Sequence, residues 1–169
     1  MEMSPCPGCG ALLPGPAATS DPRSSASDAC RAVYGEVAGY ELGHVAELGR
    51  WHQLLVDTYG AQHPGDTGPA IGTVFGLIGL HLALEDGRSG LQVRDAHQLL
   101  ANRYRVWPRF AAPVDRGRLT IVNLALAADP AMYAETLQRW AREVWSAWTS
   151  QHAAVGDLVR ERLPRATSR

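Results

Sequence analysis

Residues 129–155 read DPAMYAETLQRWAREVWSAWTSQHAAV. Asp129-Pro130 is a capping residue followed by proline at the first helical position, where a backbone N–H has no intrahelical partner anyway. Beyond it Leu137, Ala141, Val144, Trp148 and Val155 recur at helical spacing and form one buried stripe, flanked by Trp140 and Trp145. The pattern predicts a long final helix that extends to Arg162.

The same signals repeat upstream. Ser27 or Asp28 can cap a helix running to Gly43, and a second helix is predicted from Ala46 to Gln62, ended by His63-Pro64-Gly65 because Pro64 disfavours the helical conformation at His63. After a turn-rich loop at 65–69, a third helix is expected from Ala70 to Asp86, a fourth from Val93 to Arg105 and a short fifth from Thr120 to Ala128. No segment alternates with period two and no internal repeat is evident. The predicted fold class is all-α, a compact bundle of five or six helices. Residues 1–26, rich in Pro, Gly, Ala and Ser, read as a Cys-containing knuckle and linker, residues 27–163 as the helical domain and 164–169 as a tail.

The chain has 169 residues and a formal net charge of -1, and all 16 of its basic residues are arginine. Without lysine there is no Schiff-base chemistry, no P-loop lysine and no lysine general base. The most apolar run, Pro69–Leu84, is shorter than the roughly 20 residues that span a bilayer and contains His81, so it reads as a core helix. The first basic residue is Arg23, which leaves no basic region for a secretory signal. Three cysteines cannot close a disulfide framework. Reduced thiols and a cytoplasmic location are expected.

Cys6-Pro7-Gly8-Cys9-Gly10 lets two thiolates reach one ion across a tight turn, and thiolate pairs favour Zn2+ over hard cations. A thioredoxin-like role fits less well, because that chemistry wants the first Cys at a helix N-terminus after a strand. Haem attachment requires His directly after the second Cys, where Gly10 stands. One CxxC is half a tetrahedral site. Cys30, in the first turn of the first helix, is the natural third ligand. If the first two helices form a hairpin turning near 43–46, facing residues sum to about 89 and Cys30 lies beside Tyr59, one turn before His63. His52 and His63 are about 16 Å apart along a continuous helix, so they cannot share one ion. The expected zinc site is therefore Cys6, Cys9, Cys30 and His63, with His63 alternatively a mere helix-terminal residue bonded to carbonyls.

Together with CPGCG and the helix-starting Cys30, the segment Val56-Asp57-Thr58-Tyr59-Gly60-Ala61-Gln62-His63-Pro64 resembles an uncharacterised bacterial domain family. Its members pair an N-terminal CPGCG with a VDxYxxQHP segment and a tryptophan-rich final helix, to which Trp140–Trp148 and His152 are similar. The resemblance spans residues 5–155. It implies no activity, but it draws attention to Asp57, Tyr59, Gln62 and His63.

Other groups invite chemistry less specifically. His81 lies on the apolar stripe of the third helix with Glu85 one turn on, as a ligand pair, a base with its orienter, or a core histidine with a partner. His52, His81 and His152, on three helices, could build an open metal site. Glu41-x-x-His44 matches one element of a carboxylate di-iron bundle, but no second such pair exists. Residues 102–110, NRYRVWPRF, interleave arginine with aromatics, a pattern of single-strand binding that the near-neutral charge disfavours. Two functions follow. One is a zinc-binding helical module whose metal is mainly structural and which binds a small molecule or a protein. The other is a small zinc-dependent hydrolase or lyase with Asp57, Tyr59 or His52 beside the metal and His81 as a further candidate. Nucleic-acid and membrane partners are not expected.

Overall fold

The computed structural model describes residues 2–66 and 71–164. Part of the loop expected at 65–69, the expected first residue of the third helix, Ala70, and tail residues 165–169 lie outside the described residues. At the centre is the helix Ile71–Leu84, which buries Val74, Leu77, Ile78, Leu80 and Leu82 and so is apolar around most of its circumference. Such a helix has to be surrounded. In chain order the helices are α1 (Asp28–Gly43), α2 (Val45–Leu48), α3 (His52–Gln62), α4 (Ile71–Leu84), α5 (Gly90–Arg103), α6 (Ile121–Ala125), α7 (Pro130–Ala147) and α8 (His152–Arg162). Helices α3, α5, α7 and α8 all pack on α4, and α1 packs on α6. A small antiparallel hairpin, β1 (Met3–Pro5) and β2 (Leu12–Pro14), precedes them.

The all-α expectation holds, and two of the predicted helices are each divided by a 3₁₀ turn. The segment from 45 to 62 is broken at Gly49–Trp51, where Gly49 weakens the helix interior. The final segment is broken at Thr149–Gln151. There Trp148 N–H bonds the Trp145 carbonyl in a tightened last turn, and His152 Nε2 reaches the same carbonyl at 2.8 Å. The His152 ring also stacks on Trp145 at 3.8 Å between centroids. The break keeps both Trp148 and Val155 fully buried. Trp140, expected to flank the stripe, is itself wholly buried.

Caps decide most boundaries. Ser27 rather than Asp28 caps α1, accepting from Cys30 N–H. A capping box between Ser89 and Gln92 starts α5 at Gly90, ahead of the expected Val93. Thr120 and Asp129 cap α6 and α7. The closest helix contact is α3 against α4. A Cβ on Gly79 would overlap the Asp57 carboxylate, and one on Gly76 would stand 2.7 Å from the Asp57 carbonyl. The glycines of α4 are thus what lets α3 lie flush on it.

The stretch 102–110 is a loop anchored by its aromatics. Arg162 lies over the rings of Tyr104 and Trp107, and Phe75 meets Trp107 edge-on. No helix among the described residues is long and apolar enough to cross a membrane.

Candidate metal centre

The hairpin that sequence periodicity missed is what presents the CxxC. Its two strands are only three residues each, too short to show alternation, and they leave residues 6–11 as the connecting loop. Cys6 N–H bonds the Ala11 carbonyl at 2.9 Å and Gly10 N–H bonds the Cys6 carbonyl at 2.8 Å. Gly10 takes φ +75°, a conformation that a side chain would strain. Gly8 is required for space, since a Cβ there would overlap the His63 ring.

One ligand atom from each of Cys6, Cys9, Cys30 and His63 lies within 4.8 Å of the others. Cys9 Sγ is 3.9 Å from Cys30 Sγ, and Cys30 Sγ is 3.4 Å from His63 Nε2. Zn–S and Zn–N bonds of ordinary length meeting tetrahedrally separate two sulfurs by about 3.8 Å and a sulfur from a nitrogen by about 3.5 Å. His63 Nδ1 faces the Tyr59 carbonyl at 2.8 Å, so with the proton on Nδ1 the lone pair of Nε2 points at the sulfurs. Cys6, Cys30 and His63 are almost completely buried, while Cys9 is partly exposed. The cluster can bind a metal, and soft thiolates with one imidazole suit zinc.

The thiols perturb one another strongly. Hydrogen bonds from Cys30 and Cys9 hold Cys6 far below the usual thiol range. Cys30 is pushed far up, first by Cys6 and then by Cys9. At Cys9 a lowering contact with Cys30 is outweighed by Cys6 and burial, and the thiol rises to about 11. The cluster by itself thus holds one thiolate readily and the others reluctantly. A dication would draw the remaining protons off, so metal uptake should release protons.

The helix hairpin behaves as expected, with a shifted register. Facing contacts pair Cys30 with His63, Tyr34 with Tyr59 and Glu41 with His52, each summing to 93 (30 + 63, 34 + 59, 41 + 52) rather than 89. The short α2 lengthens the turn and moves its centre. Ser24 pairs with Pro64 in an isolated bridge, which seats the N-terminal segment at the open end of α1 and α3.

Of the residues proposed to flank the metal, Tyr59 touches the cluster, its hydroxyl 3.7 Å from Cys30 Sγ. Burial and Cys30 push that hydroxyl far up, so it is a neutral donor to the sulfur. His52 is held elsewhere. Its Nδ1 is 2.6 Å from Glu41 Oε2, while Tyr133 donates to Glu41 Oε1 at 2.7 Å. Glu41 therefore does not join His44, which turns to the Tyr40 carbonyl. His81 does not partner Glu85 as expected, because Glu85 accepts from Trp145 Nε1 at 2.6 Å, and His81 instead stands 3.9 Å from Asp86. Three histidines do not converge on one point.

Asp57 is buried on the other side of α3. Its Oδ1 accepts from Gln53 at 3.1 Å and lies 3.8 Å from His97 Nδ1. Burial raises Asp57 well above the carboxylate range and pushes His97 down to about 4, so both favour the neutral form. The signs follow from linkage. The neutral Asp57 acid stabilises the fold fully below the unfolded pKa of about 3.9, and that contribution is lost as pH rises through its elevated folded value. Neutral His97 contributes above about pH 6.5, and its part is lost as pH falls toward 4. Asp57→Asn keeps the acceptor for Gln53 and removes the first dependence. Its melting temperature relative to the unaltered protein should therefore be higher at pH 8 than at pH 5. An equal difference at both pH values would show that Asp57 does not titrate with folding.

Two residues bind the centre to the body, and one of them, Arg116, escaped sequence reasoning. Arg116, in the long connection before α6, donates from Nη1 to the Gly8 carbonyl at 2.9 Å and also reaches Pro7 and Ser25. Three thiolates and one dication sum to a single negative charge, which this guanidinium would offset. Gln62, singled out by the motif without a role, donates to the carbonyls of Arg116 and Leu119 and accepts from Trp140 Nε1. Trp148 Nε1 donates to the Ala61 carbonyl. The Gln-His-Pro segment and the tryptophan-rich helix are thus two halves of one buried joint. No spacing rule identifies Arg116, because its role arises only from tertiary placement.

A family model matches residues 4–149, and its description is "Family of unknown function (DUF5946)". The chain belongs to this family. The match covers the CxxC loop, all four members of the Cys3His cluster and α7, so for DUF5946 the expected resemblance to an uncharacterised domain family stands. Comparisons with curated proteins and with solved structures gave no match.

Proposed function

We propose that this protein is a zinc-binding helical module in which the ion, held by Cys6, Cys9, Cys30 and His63, is structural and joins the N-terminal hairpin to the helical core. The observation that carries this is the convergence of four protein ligand atoms within 4.8 Å. Four protein ligands fill a tetrahedron and leave no position for water, the arrangement of structural rather than catalytic zinc. The order of the fold supports the same reading. Among the described residues, the segment before α1 contributes only Cys6, Leu13 and Ala26 to the buried apolar core, too little to hold it in place unaided. The catalytic alternative receives no comparable support, since His52 is engaged by Glu41 and Asp57 by Gln53. Free thiols favour a reducing, cytoplasmic setting, and the helical body is the part that would meet a small molecule or a protein partner.

Elemental analysis of the purified protein tests the reading. About one zinc per chain is expected, reduced to near zero in His63→Ala. A well-folded protein without metal, or His63→Ala retaining full zinc, would overturn it.

A further inference from the structure

A second feature of the molecule lies away from the cysteines. Helices α3, α4, α5 and α7, with the 3₁₀ turn at 49–51 and the connection between α4 and α5, line a solvent-open cavity of about 520 Å³. Its walls carry Arg50, Arg88 and Arg142, and Asp57 is the one acidic residue that lines it. In a chain of net charge -1, three arginines in one concavity are a marked local excess of positive charge. Neither Arg50 nor Arg142 has an acidic partner among the described residues, and Arg88 is only 3.9 Å from Asp86 through Nε. Arg50 lies over the Trp51 ring, 5.0 Å from its centroid, and Trp51 also lines the cavity. The floor is polar and buried. Asp57 is 3% exposed, with Gln53 bonded to Oδ1 and no hydrogen-bonding partner for Oδ2 among the described residues. Leu54, Ala83, Leu84 and Val93 make the rest of the wall apolar.

We propose that this cavity is a binding site for a small organic anion, a carboxylate or phosphate ester with an apolar body, whose charge is met by Arg50, Arg88 and Arg142 and whose body lies against Trp51 and the apolar wall. Guanidinium groups suit both headgroups because their planar forks match two oxygens at once. An apolar lining with a few convergent polar groups is the usual make-up of a small-molecule site. Asp57 does not oppose the anion. Burial disfavours its ionised form, and the protonated form can donate a hydrogen bond from the floor. The site is independent of the metal centre. It is built from the 3₁₀ turn at 49–51, the connection between α4 and α5, and faces of α3, α4, α5 and α7, none of which supplies a zinc-ligand candidate to the cavity wall.

Calorimetric titration of the full zinc-loaded chain with phenyl phosphate, phenylpropanoate and the uncharged phenylpropanol tests the proposal. At least one of the two anions should bind saturably, and the difference between them tells which headgroup the site prefers. Phenylpropanol should bind at least about tenfold more weakly, equivalent to about 1.4 kcal/mol. The double variant Arg50→Gln/Arg142→Gln alters two exposed side chains, so it should fold normally and weaken the anion about tenfold or more. Arg139→Gln, exposed on the same helix outside the cavity, should leave affinity unchanged. Absence of saturable binding by both anions, equal binding of the alcohol, or unchanged affinity in the double variant would overturn the assignment.

Discussion

Cys30→Ser should lose the metal and release the N-terminal segment from the helical body. Cys30 sits at the centre of the cluster, 3.9 Å from Cys9 and 3.4 Å from His63, and is completely buried. A hydroxyl in its place is a poor zinc ligand and leaves a three-coordinate remnant. Structural zinc sites contribute about 10–16 kcal/mol of binding energy in small peptides, so even partial loss exceeds what a three-residue-strand hairpin contributes alone. The helical body keeps its own core around α4, so the damage should be graded. Limited proteolysis should cut the segment before Asp28 rapidly while the rest persists. A loss of about 3 kcal/mol would lower the melting temperature by roughly 6–12 °C for a chain of this size. A strong chelator acting on the unaltered protein should reproduce the same cleavage pattern. Unchanged proteolysis in both experiments would mean that the hairpin is held by something other than the ion.

Gln62→Leu should strongly destabilise the helical body although it lies outside the cluster. Gln62 is completely buried and uses three of its four hydrogen-bonding positions, donating at 3.1 Å to the Arg116 carbonyl and at 2.8 Å to the Leu119 carbonyl while accepting from Trp140 Nε1 at 3.1 Å. Leucine fills similar space but orphans one buried indole N–H and two carbonyls. At about 1–3 kcal/mol for each unsatisfied group, with some relaxation, the loss should be about 3–5 kcal/mol. Chemical denaturation would read it directly. Trp140→Phe removes the orphaned donor, so the double variant should cost clearly less than the sum of the single changes. A loss below about 0.5 kcal/mol for Gln62→Leu would show that the joint is not under strain when unpaired. The same change should loosen the metal centre, because Gln62 adjoins His63 and holds the backbone of Arg116, whose guanidinium grips the Gly8 carbonyl.

Helix positions were legible because each carries a chemical signal. Asp129-Pro130, Ser27 and Thr120 mark starts through capping, and the apolar rows of α4 and α7 mark the faces that must be buried. The breaks at 49–51 and 149–151 were not. A single glycine or a histidine folding back on a carbonyl interrupts a helix without disturbing its hydrophobic period. The β1–β2 hairpin was invisible for the opposite reason, since six strand residues that include Pro5 and Pro14 show no alternation. The Cys3His grouping could be argued from chain order alone, because a helical hairpin constrains which residues can face each other. That constraint tolerates a slip of one turn, and the observed register used all of that tolerance, since Cys30 faces His63 rather than Tyr59.

By itself the sequence determined the helical class, the CxxC pair as half of a ligand set that chain order could complete, and the exclusion of lysine chemistry. These are local or compositional properties, readable from spacing and residue type. Only the tertiary structure decided that Glu41 engages His52 and Glu85 engages Trp145, that Arg116 closes over the hairpin, and that three arginines from separate segments share one cavity. Those pairings join residues distant in the chain. They are set by how α3 and α4 meet through Gly76 and Gly79 and by where the helices break, and no local pattern encodes either.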